Sequence, residues 1–177
     1  MSDDFFNYLP FYRYASSITH FSRFVEVGVY SGASCAFMAK QLLGRNLPFE
    51  MYAVDLWDKV NTETDYTRIV DTPIWVEFNA RLQREHLSEH VRIIQKESTK
   101  AAADFADKSL DFVFIDANHS YEHVKADIEA WKPKMKVGGM LSGHDILEDS
   151  CGVKKAVDEK FGDDYSMMAG CWYKFIK

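Results

Sequence analysis

The chain has 177 residues, of which 47% are hydrophobic and 27% charged. This is the composition of a soluble globular protein that can bury a core without disulfides or metals. The formal net charge of -6 gives no sign of the basic face that binders of nucleic acid or anionic membranes usually carry. The three cysteines, Cys35, Cys151 and Cys171, have no CxxC spacing, which argues against a disulfide framework or a zinc site.

The first 22 residues form an aromatic segment that starts MSDDFFNYLP and is acidic, unlike a signal peptide. No run approaches the ~18 apolar residues of a membrane span, so we expect a cytoplasmic protein with no membrane partner. The segment is predicted to be a helix that packs beside the site. Binding of a substrate, or of a second subunit in a homodimer, are the alternatives for this segment.

Strand-like and helix-like apolar patterns alternate along the rest of the chain. Strands are predicted at 23–29, 50–57, 91–97, 110–117 and 138–145, and helices at 34–44, 72–87, 99–106, 121–135 and 152–162. The tail is predicted to form two last strands as a hairpin. Alternation of this kind indicates βαβ units and a doubly wound, mostly parallel α/β sheet within a single domain, 1–177, with one antiparallel edge strand.

Ligands of open α/β sheets bind over the carboxyl ends of the strands, so the residues that close each strand matter most. The first strand runs into FVEVGVYSGAS, where Gly28 and Gly32 allow the backbone to approach a ligand closely. Asp55 closes the second strand, where an acid is placed to bind a ribose diol. The structural alternatives are a tight turn with no ligand and, for Asp55, a role as a helix cap or turn residue.

The turn does not fit a dinucleotide or a P-loop. Its glycines are spaced GxxxG rather than GxGxxG, and no GxxxxGK[ST] occurs. Glu26 lies just before the turn, where a carboxylate would repel a pyrophosphate but attract an ammonium or sulfonium group. S-adenosylmethionine carries both cationic groups, together with a ribose diol for Asp55.

The order of four motifs resembles a known family. VEVGVYSGAS, YAVDLW, FIDANHSYEHVKADIEAW and KVGGMLSGHD together are similar to class I S-adenosylmethionine-dependent methyltransferases, and most similar to the small O-methyltransferase-like group. The resemblance spans residues 23 to 177 and implies a Rossmann-like, seven-stranded sheet with a reversed edge strand.

The resemblance also implies a cofactor site. The methionine part would be surrounded by residues of the first turn: Glu26, Gly28, Tyr30, Ser31, Gly32 and Ser34. Asp55 would hold the ribose, and Leu56 and Trp57 would lie against the adenine. Ser98 would lie near the adenine edge and Asp116 near the methyl group.

Methyl transfer also needs a deprotonated acceptor, which a general base or a metal ion can provide. In metal-using relatives an acid ends the fourth strand and an acid–amide pair ends the fifth; Asp116 matches the acid, while His144 and Asp145 replace the pair. Two oxygens and one imidazole can hold Mg²⁺, Mn²⁺ or a softer divalent ion. The metal-free alternative uses His144 or His119 as the base. In the structural alternative, His144 caps the next helix or bonds to the backbone, and His119 orders its turn and caps the helix that follows.

The sequence thus predicts an enzyme that transfers a methyl group to a hydroxyl of a small molecule. A nicotinamide-dependent oxidoreductase and a non-catalytic cofactor-binding or interaction module are the alternatives. The polar and aromatic stretch 57–75 is long for a loop, as lids over substrates often are.

Overall fold

A computed structural model of the chain describes residues 7–57, 73–148 and 152–177. The helices are α1 (Leu9–Ser17), α2 (Ala33–Gly44), α3 (Ile74–Arg84), α4 (Ser98–Ala102), α5 (Tyr121–Trp131) and α6 (Val153–Phe161). The strands are β1 (Arg23–Val27), β2 (Glu50–Asp55), β3 (Val91–Gln95), β4 (Leu110–Ile115), β5 (Met135–Gly143), β6 (Ser166–Met168) and β7 (Cys171–Phe175). Most of the loop predicted as a lid, and Cys151, lie outside the described residues.

The strands form one seven-stranded sheet in the order β3-β2-β1-β4-β5-β7-β6, which confirms the predicted fold class. β1 pairs in parallel with both β2 and β4, and β4 pairs in parallel with β5. β7 is antiparallel to β5 and to the outermost strand, β6, so the reversed strand lies next to the edge. β1, β2 and β3 follow one another towards one edge of the sheet, whereas β4 and the later strands lie on the other side of β1. The strand order thus switches between β1 and β4, and α/β sheets bind ligands at such a switch point.

Alternate side chains of the central strands lie in two separate hydrophobic cores, one on each face of the sheet. Helices α1, α2 and α3 cover the first face, where the core includes Phe11, Phe24, Met38, Phe78, Phe112 and Phe114. Helices α4, α5 and α6 cover the second face, where the core includes Val25, Ala101, Val113, Ile128, Trp131 and Val157. Burial on both faces explains why these strands read as nearly continuous apolar runs.

The first four strands each end two residues before their predicted ends. The reason is visible at Gly28 and Trp57, which have φ of 82° and 49° and so cannot continue an extended strand. Helix α5 also ends before its predicted end, because a short 3₁₀ turn that contains Pro133 begins at Lys132, and Met135 already pairs with Leu110 of β4. β5 therefore begins three residues before its predicted start. None of the helices in the described ranges is long and apolar enough to cross a membrane.

Candidate active site

The turn between β1 and α2 is pressed against the end of β4. Gly28 has φ of 82°, and a Cβ at this position would lie 2.0 Å from the carbonyl oxygen of Asp116. Gly32 has the same φ, and its Cβ would lie 2.5 Å from the ring of Phe78. Tyr30 between them also adopts a left-handed conformation, with φ of 52°, and its side chain is exposed. Only glycine fits at residues 28 and 32, because a side chain at either position would collide with neighbouring atoms.

Asp55 ties the end of β2 to this turn. Its Oδ2 accepts the backbone N–H groups of Val29 at 2.8 Å and Tyr30 at 2.9 Å, and its Oδ1 accepts that of Trp57 at 2.9 Å. The structure therefore gives Asp55 the turn-ordering role that was one of the two alternatives. A carboxylate has about four acceptor positions, so the predicted bond to a ribose hydroxyl is compatible with these three and stays a prediction.

Other residues predicted to bind the cofactor make hydrogen bonds within the protein. The Trp57 indole N–H donates to the carbonyl of Tyr30 at 3.0 Å, and the ring stacks on Phe78 with centroids 4.8 Å apart. The carbonyl of Leu56 accepts a hydrogen bond from Gln95, and that of Ser31 accepts one from Arg81. The Ser98 hydroxyl accepts the indole N–H of Trp131 at 2.9 Å, which joins α4 to α5.

Glu26 lies under the turn with only 1% of its surface exposed. Ser34, in the first turn of α2, donates its hydroxyl to Oε1. Oε2 has no hydrogen-bond partner at normal distance among the described residues, although the Tyr12 hydroxyl is close enough to favour the ionised form. Burial dominates and raises the pKa of Glu26 to about 8. The carboxyl is therefore mostly neutral at pH 7, and an ammonium group placed beside it would favour ionisation.

Four side chains that close β4 and β5 meet beside the turn. Ile115 and Gly143 are paired in the sheet, so Asp116 and the residues after Gly143 leave neighbouring strands at the same level. The His119 Nε2 lies 3.3 Å from Asp116 Oδ1 and 3.0 Å from Asp145 Oδ2. The His144 Nδ1 lies 2.9 Å from Asp145 Oδ1. We call Asp116, His119, His144 and Asp145 the acid–histidine cluster.

The charges of this cluster stabilise one another. The bonds to Asp116 and Asp145 raise the pKa of His119 to about 10, so its imidazole is protonated at neutral pH. Burial lowers the pKa of His144, but the bond to Asp145 and the nearby carboxylates offset this and raise it. Burial raises the pKa of Asp145, and the two histidines outweigh that effect and hold the pKa well below its ordinary value. The cluster can therefore hold protons next to a bound molecule.

Three members of the cluster fit a divalent cation. One ligand atom each of Asp116, His144 and Asp145 lie within 4.8 Å of one another, and no other such group occurs in the described part of the chain. One imidazole and two carboxylates suit Mn²⁺ or a softer ion better than Mg²⁺, which prefers oxygen. A cleft of about 230 Å³ opens beside His144 and Asp145 and is also lined by Asn7, Leu147, Glu148, Ala169 and Gly170.

One residue of the site was not predicted individually. Tyr8, at the start of α1, donates its hydroxyl to Asp116 Oδ2 at 2.9 Å, and its ring centroid lies 4.5 Å from that of His144. The part of the aromatic segment that the structure describes, from residue 7 onwards, reaches the acid–histidine cluster through Tyr8. No sequence pattern distinguishes Tyr8 from the other aromatic residues of the segment.

A family model described as a methyltransferase domain matches residues 25–146. The match runs from β1 through the whole acid–histidine cluster. The chain belongs to this methyltransferase family. The resemblance inferred from the four motifs is thereby confirmed.

One relative by sequence is the uncharacterized protein y4gI of Sinorhizobium fredii, which is 29% identical over 133 residues. The match covers 74% of this chain but only 14% of that protein. The chain thus spans about one seventh of the length of the relative that it matches.

Three solved structures have a similar fold. The O-methyltransferase NovP aligns with a TM-score of 0.74 at 18% identity, over 96% of this chain and 79% of that chain. Cofactor-bound Rv0187 from MTB aligns with a TM-score of 0.68 at 14% identity, over 99% of this chain and 81% of that chain. CalS11, a TDP-rhamnose 3'-O-methyltransferase, aligns with a TM-score of 0.65 at 15% identity, over 92% of this chain and 75% of that chain. At these identities the alignments establish the fold alone.

The close approach of Gly28 to β4 can be tested against a glycine in open space. Gly28→Ala places a methyl group against backbone atoms, and we expect the free energy of unfolding to fall by at least about 2 kcal/mol. Gly138 is the matched control, since its φ is 80° and a Cβ at this position would meet no atom within 4 Å. Gly138→Ala should lower the free energy of unfolding by only about 1 kcal/mol, the cost of a left-handed backbone conformation for a residue other than glycine. Urea denaturation measures both, and equal losses would contradict the close approach.

The burial of Glu26 predicts a pH dependence of stability. The folded protein keeps a proton on Glu26 up to a pKa of about 8, against an ordinary value of 4.5, so between these pH values it binds more protons than the unfolded chain. This contribution to stability is complete below pH 4.5 and is lost as pH rises towards 8, with a slope of at most about 1.4 kcal/mol per pH unit.

Glu26→Gln should remove this slope and should gain stability relative to wild type as pH rises. Urea unfolding at pH 5, 6.5 and 8 measures the difference between the two proteins. Glu122→Gln, at an exposed position of α5, is the control and should follow wild type. A Glu26→Gln curve parallel to that of wild type would show that Glu26 is already ionised in the folded protein.

Proposed function

We propose that the protein transfers the methyl group of S-adenosylmethionine to a hydroxyl oxygen of a small molecule. The observation that carries this proposal is the contact between the two halves of the site. The β1–α2 turn, with Glu26 beneath it, touches the backbone of Asp116, and the acid–histidine cluster begins at Asp116. A cofactor over the turn and an acceptor over the cluster would therefore meet at the β1–β4 switch point.

The turn suits the cationic end of the cofactor. Glu26 and Ser34 present a carboxyl and a hydroxyl where an ammonium group would need acceptors. Asp55 lies one strand away, at the end of β2, and is proposed to hold the ribose, with Leu56, Trp57 and Ser98 around the adenine. Burial of Glu26 means that a bound ammonium group would be shielded from water, which strengthens its attraction to the carboxylate.

The cluster suits activation of an acceptor hydroxyl. When bound, the cofactor supplies an electrophilic methyl carbon on a sulfonium. Asp116, His119 and His144 are proposed to orient the acceptor. The His119 imidazole is already protonated at neutral pH, so Asp116 or His144 is proposed to take the acceptor's proton. Asp116, His144 and Asp145 could alternatively hold a divalent ion that lowers the acceptor pKa. Alignment of the reacting atoms by the protein would supply several kcal/mol of the barrier reduction.

Membership of the methyltransferase family favours this function over the nicotinamide-dependent alternative. The choice of an oxygen acceptor is supported by the fold neighbours NovP and CalS11, both named as O-methyltransferases. The cleft beside His144 is the proposed entry for the acceptor. The cytoplasmic location, the homodimer and the lid within residues 57–75 stay predictions.

The proposal is tested first by cofactor binding. Calorimetric titration with S-adenosylmethionine, in EDTA and then with Mn²⁺ or Mg²⁺, should give micromolar binding, and release of S-adenosylhomocysteine should follow on adding hydroxylated acceptors. Catechols, free sugars and nucleotide-linked sugars form a suitable first panel. Failure to bind the cofactor under every condition would refute the proposed function.

The role of Asp55 needs a test that separates ribose binding from its support of the turn. Asp55→Ala should weaken binding of S-adenosylhomocysteine by about 1–3 kcal/mol, the scale of a lost hydrogen bond to a charged group. The 2',3'-dideoxy analogue lacks the diol, so its affinity should be the same for wild type and variant. An equal loss for both ligands would show that Asp55 acts only through the turn.

The metal alternative predicts that Mn²⁺ binds the cluster. His144→Ala and Asp145→Asn should each weaken Mn²⁺ binding at least about tenfold, since even residues behind a metal ligand cost this much. His20→Ala, at an exposed histidine before β1, is the control. Methyl transfer that proceeds in EDTA, by a protein that binds no Mn²⁺, would rule out the metal and leave Asp116 or His144 as the base.

A further inference from the structure

Tyr8 reaches the acid–histidine cluster from a segment far away in the sequence. It is 5% exposed, and its hydroxyl donates to Asp116 Oδ2 at 2.9 Å across 108 positions of the chain. Its ring lies between the sheet and the cluster, 5.1 Å from Phe114 and 4.5 Å from His144 between centroids. The side chain therefore contacts two of the four cluster residues.

The Tyr8 hydroxyl restricts the orientation of the Asp116 carboxylate. One oxygen of this carboxylate accepts from Tyr8, and the other lies 3.3 Å from His119. With both oxygens engaged, the carboxylate cannot rotate without breaking one of the two contacts. Because Tyr8 occupies Oδ2, it is Oδ1, beside His119, that is left for the proposed acceptor or cation. A phenol is well suited as the second donor, because burial keeps the pKa of Tyr8 well above its ordinary value.

The same helix also reaches Glu26. Ser34 interacts with the Tyr8 hydroxyl and donates its own hydroxyl to Glu26. Tyr12 follows Tyr8 by four residues, which places it on the same side of α1, and its hydroxyl interacts with Glu26. Helix α1 thus places two tyrosine hydroxyls over two acids, one on the proposed acceptor side and one on the proposed cofactor side.

We propose that Tyr8 is a positioning residue of the methyl-transfer site, acting through Asp116. This inference rests on the proposed function and adds a residue that the motifs do not contain. If Tyr8 only packed in the core, a phenylalanine would do equally well, as Phe11 does in the same core. A buried hydroxyl is costly unless it is bonded, and here the bond goes to a carboxylate of the site.

The test is Tyr8→Phe, which removes the hydroxyl and keeps the ring. We expect kcat to fall about tenfold or more, the effect of losing a hydrogen bond to a charged group, while the affinity for S-adenosylmethionine stays within about threefold. Tyr14→Phe is the matched control on the same helix, since the ring of Tyr14 contacts Tyr173, and it should match wild type.

A double-mutant cycle shows whether Tyr8 acts through Asp116. In an Asp116→Ala background, which leaves the Tyr8 hydroxyl no acceptor at residue 116, Tyr8→Phe should have little further effect on kcat, whereas independent roles would make the two effects multiply. The same cycle measured on Mn²⁺ affinity, or on urea unfolding, needs no turnover.

The outcomes separate this inference from the proposed function. A wild-type protein that binds no S-adenosylmethionine would overturn both proposals. A wild type that transfers methyl groups, with a Tyr8→Phe variant of equal kcat, would overturn this one alone. Independent effects in the cycle, or equal losses in Tyr8→Phe and Tyr14→Phe, would reduce Tyr8 to a packing residue.

Discussion

The site depends on how closely the end of β1 approaches the end of β4. The backbone N–H of Asp116 donates to the carbonyl of Val27 at 2.7 Å, and that of Gly28 donates to Val54 at 2.9 Å. These bonds continue the parallel ladders past the strands and hold the turn between its two neighbours. Because a side chain at residue 28 would overlap the backbone of residue 116, the glycine allows this contact. Three carboxyl groups that close neighbouring strands are thereby brought to one edge of the sheet.

Such a concentration of acids would be repulsive if all were ionised and unpaired, and the fold deals with each one differently. Glu26 is buried, and its raised pKa keeps it largely neutral. Asp55 accepts three backbone N–H groups, which compensate its charge with local dipoles. Asp116 is bonded to Tyr8 and lies beside His119. Of the three, only Glu26 lacks bonded charges or dipoles strong enough to keep its carboxylate ionised, so Glu26 would be stabilised most in that form by a cationic ligand. Glu26 rather than Asp55 is therefore the proposed partner of the ammonium group.

The sequence predicted the fold and the positions of the strand-end residues, because both follow from local patterns. Once a parallel sheet is accepted, Asp55, Asp116 and His144 must lie at one edge, and the structure places them there. What each side chain bonds to could not be predicted in the same way. The apolar pattern of α1 shows that one face is buried, but it does not show which strands that face covers, so the bond from Tyr8 to Asp116 has no local signature. The bonds from Asp55 to the β1–α2 turn likewise depend on the left-handed backbone at Tyr30.

The replacement of an acid–amide pair by His144 and Asp145 changes what the cluster can do. An amide brings no charge, so carboxylates in such a site depend on a metal ion for compensation. Here the protonated His119 already supplies positive charge and contacts both carboxylates. A divalent ion at Asp116 and Asp145 would have to compete with the His119 imidazolium for the same oxygens. The His119 imidazolium therefore compensates part of the charge of the two carboxylates by itself, and Asp116 or His144 remains as the proposed acceptor of the proton.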